Sequence, residues 1–122
     1  MTKSPHHLWI AAQKKRKREK EAFRLTVLRE LDDALKSLET EYAWTDLYLF
    51  GSVTKDGRFG ESSDVDIAIK GLGKNHFYAF VGELSSILNR SVDVVNLEEC
   101  GFSEKIIAGG LKWNPKKKYG FS

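Results

Sequence analysis

The sequence predicts a single α/β (α+β) domain, and three observations predict it. Between Pro5 and Gly51 there is neither proline nor glycine, and apolar residues recur at helical spacing over much of that stretch. Three short apolar runs, Leu47–Phe50, Ile67–Ile69 and Val92–Val95, have strand length and are bounded by turn residues. Between the second and third runs, Phe77, Phe80, Val81, Leu84, Ile87 and Leu88 follow a helical period. At 122 residues the chain suits one core rather than two. Its 41% hydrophobic and 30% charged content is that of an ordinary globular protein. No apolar run reaches membrane-spanning length, no cleavable leader is expected, and the single Cys100 cannot form an internal disulfide. These features point to a cytoplasmic protein without a membrane role.

In chain order, Ser4 suits a helix N-cap and Pro5 the first helical position. Residues 5 to 39 are helical, as one helix or two; the pattern does not choose. Residues 1–20 read as a basic, peripheral helical extension, with His6 and His7 on its surface and an apolar Leu8-Trp9-Ile10 patch that suits either a partner or its own domain. Phe23, Val27, Leu28, Leu31, Leu35 and Leu38 then give an inward stripe, and the domain proper spans 21–122. Trp44 is a packing anchor before the first strand, Asp46 to Phe50, in which Leu47 and Leu49 face one way and Tyr48 and Phe50 the other. Lys55-Asp56-Gly57 is a tight turn. The second strand runs from Asp64 to Lys70, Asn75 caps the next helix, and Ser91 to Asn96 form the third strand. Phe102 to Ala108 is a short helix with Ile106 and Ile107 inward, Gly109-Gly110 ends it, and Leu111 to Trp113 add a last strand before a lysine-rich tail.

The chemistry lies where the first two strands meet. Gly51-Ser52 follows the first strand directly; glycine permits close backbone approach, and a serine hydroxyl with adjacent N–H groups suits a phosphate. Thr54 and Lys55 offer a further hydroxyl and a positive charge at this turn, as candidate nucleotide-binding residues. Asp64 and Asp66, two apart in a strand, share a face, and two like charges so placed call for a cation or for solvent. Hard oxygen donors without a nearby cysteine or histidine favour Mg²⁺ or Mn²⁺ over zinc. Asp93 stands among valines and is costly to bury unless paired, metal-bound or at an edge. If its strand lies beside the second, three carboxylates meet on one face. Taken singly, each feature has a bland counterpart: a solvated pair, an edge residue, an ordinary turn.

In order and spacing, Gly51-Ser52, Ser63-Asp64-Val65-Asp66, a helix and an apolar strand holding Asp93 resemble the minimal nucleotidyltransferases of the DNA polymerase beta superfamily, over roughly residues 20 to 113. The resemblance implies a nucleotidyltransferase fold with a small mixed sheet and helices packed mainly on one side. It implies a donor such as ATP or another NTP, with Mg²⁺ (or Mn²⁺) held by Asp64, Asp66 and Asp93, and phosphates gripped by Gly51 and Ser52. It also implies transfer of a nucleoside monophosphate to a hydroxyl with loss of pyrophosphate. Small stand-alone members resemble antitoxins of toxin–antitoxin modules, which implies a helical HEPN-type protein partner in a homo- or hetero-oligomer. The chain departs from the family pattern at Thr54, Lys55 and Asp56, where a small residue and a glycine are usual. The alternatives are a non-catalytic nucleotide-binding or partner-capping subunit and, ranked last, nucleic-acid binding through Lys14–Arg18.

Overall fold

The computed structural model describes residues 5–117, 120 and 121. Ser4 and Lys118, assigned above to a helix cap and the tail, lie outside them. The N-terminal segment is one helix, α1 (Pro5–Leu38), of 34 residues. Unbroken by glycine or proline, it has no position at which the backbone would have to leave the helix. Then follow β1 (Asp46–Phe50), a 3₁₀ turn (Gly51–Thr54), β2 (Val65–Lys70), α2 (Lys74–Leu88), β3 (Val92–Asn96), α3 (Ser103–Gly109) and β4 (Leu111–Lys112).

The four strands form one mixed sheet in the order β3-β2-β1-β4. β1 is antiparallel to β2 and β4, whereas β2 and β3, joined through α2, are parallel as a helical crossover requires. Alternation along the strands divides the sheet into two faces. Leu47 and Leu49 of β1 and Val65, Ile67 and Ile69 of β2 join the main core with the inner stripes of α1 and α2. On the opposite face Tyr48, Phe50, Ala68 and Val95 form a smaller cluster with Ile106 of α3, Leu97 and the half-buried Cys100. The helices therefore pack mainly on one side, and much of the other face stays open.

Trp44 anchors the core as expected, its ring 5.5 Å from Phe80 and 5.6 Å from Trp113. Trp113 donates its indole N–H to the buried Asp32 carboxylate (2.9 Å), which Lys36 also meets at 3.0 Å. This ties the end of the sheet to the C-terminal part of α1.

Several expected details shift. Asn75 does not cap α2; Gly73 precedes the helix, and Asn75 sits within its first turn with no side-chain capping bond at the terminus. Ile107, expected inward, is 52% exposed, because a helix as short as α3 offers the sheet one apolar position, filled by Ile106. Ile87 is likewise exposed on the outer side of α2. β2 begins at Val65, leaving Asp64 just ahead of it, and β3 begins at Val92.

Packing sets the first prediction. Leu35, fully buried between α1 and the sheet, should cost about 2–5 kcal/mol when replaced by alanine. Ile107→Ala should stay within about 0.5 kcal/mol of wild type. Urea unfolding of both variants checks the assignment of inner and outer faces.

Candidate active site

β2 carries the central residue. Asp66 has Phe50 as its register partner on one side and Asp93 on the other. Register partners in a sheet point to the same face, so the two carboxylates stand side by side on the open face, away from the main core. Asp93 avoids the burial its valine neighbours suggested because β3 is the sheet edge and the residue is exposed. Asp64 is also exposed and lies one residue before the strand. Asp66 itself is half-buried. Burial, then the charge of Asp93, then that of Asp64, pushes its carboxyl above the usual carboxylate range.

The turn after β1 is built around that carboxylate. Gly51 has φ +76°, a region that a side chain penalises, and a Cβ there would collide with Asp66 Oδ2. Glycine at this position thus lets backbone and carboxylate approach as closely as they do. The Thr54 hydroxyl donates to the Gly51 carbonyl at 2.7 Å and the Lys55 N–H to the Ser52 carbonyl at 3.1 Å, closing the turn on itself. The Ser52 hydroxyl has no hydrogen-bonding partner among the described residues and remains available to a ligand; Lys55 is exposed.

Arg24 was not among the residues singled out from the sequence, where it read as one more cation on a polar helix. It is buried, and its guanidinium donates to the Val53 carbonyl (3.0 Å), to Asp56 Oδ1 (2.9 Å) and to both carboxylate oxygens of Glu21 (2.8 and 3.0 Å). The turn and the Asp56 segment behind it are therefore held on α1 by one side chain. The only sequence signal was position: Arg24 falls on the same three-and-four-residue stripe as Val27, Leu31 and Leu38.

The donor set suits a hard divalent cation. Asp64, Asp66 and Asp93 have no hydrogen bond or ion pair with any described residue, and their mutual repulsion leaves an unneutralised negative site. Chemically the three fit Mg²⁺ or Mn²⁺. Geometrically, the register joins Asp66 and Asp93, while Asp64 stands one residue ahead of β2, near enough for its charge to act on Asp66. Among the described residues no three Asp, Glu, His or Cys side chains are gathered into a metal-holding group.

Comparison with known proteins supplies one match. A family model described as polymerase beta, nucleotidyltransferase matches residues 30–112, most of the chain and all of the sheet. No curated protein and no solved structure gives a match.

Two outcomes are expected of the site. Gly51→Ala should destabilise the fold by about 1–3 kcal/mol, as a strained φ and a displaced Asp66 require, measurable by thermal unfolding. The raised Asp66 carboxyl means that the folded chain holds this proton more tightly than the unfolded chain. Its contribution is therefore favourable only in acid and becomes a penalty as pH rises above about 4, the ordinary aspartate value. Asp66→Asn should accordingly raise the melting temperature at neutral pH, with the gain fading below about pH 4. Millimolar Mg²⁺ should stabilise the wild type more than this variant.

Proposed function

The chain belongs to the polymerase beta nucleotidyltransferase family, and from that premise we propose that it transfers AMP from ATP, with Mg²⁺, to a hydroxyl on a partner protein. The observation that carries this reading is the side-by-side placement of Asp66 and Asp93, with Gly51 pressed against Asp66. Together they put a phosphate-sized turn beside an unneutralised acidic pair.

In this reading Asp64, Asp66 and Asp93 would hold the divalent ion. Bound there, that ion neutralises phosphate charge and acidifies a nearby hydroxyl. The Ser52 hydroxyl and the N–H groups of the turn donate to the outgoing phosphates, and Lys55 adds charge beside them. Asp93, exposed on the edge strand, accepts the proton of the acceptor hydroxyl. The acceptor's oxygen then bonds to the α-phosphorus as the bond to pyrophosphate breaks. The raised Asp66 carboxyl must be ionised for this arrangement to form, so activity should fall as pH drops toward its range. Catalysis here consists of positioning and charge complementarity rather than covalent chemistry.

The acceptor we assign is a small helical HEPN-type protein, with this chain as the antitoxin of a two-component module. That assignment rests on analogy with small members of the family. A second reading, a nucleotide-binding or partner-capping subunit without turnover, is favoured by one feature: the described residues hold no preassembled three-donor group.

Incubating the chain with the product of its neighbouring gene, Mg²⁺ and ATP labelled on the α-phosphate separates the two. Label should appear on the partner and fall at least about 100-fold with Asp66→Asn or Asp93→Asn. Mg²⁺-dependent ATP binding without label on any protein would instead establish the non-catalytic subunit.

A further inference from the structure

The inner stripe of α1 changes character along its length. Trp9, Gln13, Arg16, Lys20, Arg24, Val27, Leu31, Ala34 and Leu38 follow one another at spacings of three and four, so they lie along one side of the helix. From Val27 to Leu38 this side is buried on the sheet. Toward the N-terminus the helix overhangs the domain, and every residue from 5 to 20 is exposed. The side that continues the buried stripe is cationic there and ends in an indole. Beneath it lies the segment joining the 3₁₀ turn to Asp64: Gly57 abuts the Lys17 side chain, and Phe59 stacks on Phe23 at 5.7 Å. The result is an open groove of about 650 Å³ lined by Trp9, Gln13, Arg16, Lys17, Lys20 and Gly57.

We propose that this overhang binds single-stranded nucleic acid, the phosphates lying along Arg16, Lys17 and Lys20 and a base stacking on Trp9. Six cations occur between Lys14 and Lys20, and none is ion-paired among the described residues. The acids nearest the groove leave the basic run in excess: Glu21 and Asp56 are taken by Arg24, and Glu19 and Glu61, beside Arg16 and Lys20, form no ion pair with a described residue. Trp9 is 60% exposed, an aromatic face at the mouth of a basic channel, which is the pairing that sequence-tolerant single-strand binders use. Lys14 also lines the groove, Arg18 borders the adjoining hollow beside Lys17 and Asp56, and Lys15 carries charge on the far side of the helix. That suits a flexible phosphate chain better than the acidic face of a folded protein, which would meet one side only. The groove floor leads along the chain to Asp64, so a bound strand lies against the same loop that borders the carboxylates.

The test is fluorescence anisotropy of a short labelled oligouridylate, without nucleotide or divalent ion and with Asp66→Asn as an additional background. It thereby stands or falls separately from the transferase reading. Binding should weaken with salt, with a log–log slope of about −2 to −4. Arg16→Gln/Lys17→Gln/Lys20→Gln should weaken it more than about tenfold and flatten the slope by about 2, whereas Lys15→Gln, on the side turned away from the groove, should cost less than about twofold. Trp9→Ala should cost about tenfold and Trp9→Phe much less. These positions are exposed, and unchanged thermal unfolding will show that the variants are folded. The proposal is overturned if no salt-dependent binding occurs or if inner and outer variants lose affinity equally. It is also overturned if Trp9→Ala has no effect, or if polyglutamate at equal charge competes as well as RNA, which would indicate a generic surface for acidic chains.

Discussion

A carboxylate that cannot move away from its own backbone governs the open face of this domain. Asp66 is fixed on the central strand, between Phe50 and Asp93, and the start of the following turn lies directly against it. That contact dictates a glycine at position 51, the left-handed backbone there, and the abrupt exit of the chain from β1. It also concentrates negative charge where no described cation answers it. Burial and like charges make ionised Asp66 costly, a cost the fold tolerates at this one point while its other buried carboxylate, Asp32, is met by an indole N–H and a lysine. Unequal treatment of two acids in one small domain separates a site from a scaffold.

Most of the fold was legible because its elements announce themselves locally. The strands alternate, α2 follows a clean apolar period, and the βαβ connection forces β3 parallel to β2. The departures arise where tertiary context overrides local preference. Asn75 is a good cap in isolation, but the chain enters α2 two residues earlier, through Gly73. Ile107 is as apolar as Ile106, yet a seven-residue helix on a sparsely covered sheet face can bury only one of them. The site was legible to the extent that it depends on period: Asp66 and Asp93 share a face through register. Asp64 is legible as a type but not as a position, since it stands just outside the strand whose alternation placed it.

Arg24 shows the other limit. A buried guanidinium and an exposed one look alike in sequence, and only the partners distinguish them. Those partners also account for Asp56, which the family pattern does not explain: it completes a bracket from α1 to the segment behind the Gly51 turn. The long helix therefore does more than cover the sheet. One half seals the core, one residue braces the site, and the remainder extends past the domain with its inner side carrying cations.

The edge position of Asp93 has a further consequence. β3 borders the sheet with one row of backbone donors and acceptors unsatisfied by any neighbouring strand, and Val92, Val94 and Val95 make it the kind of segment onto which another chain can add. At the opposite border, β4 is two residues long and is followed by Trp113, bridged to Phe121, which leaves little to extend. On β3 a single charge at the second position of the strand provides the corresponding protection. The aspartate that completes the acidic pair is thus also what keeps a valine-rich border from recruiting copies of itself, so solubility and chemistry draw on the same side chain.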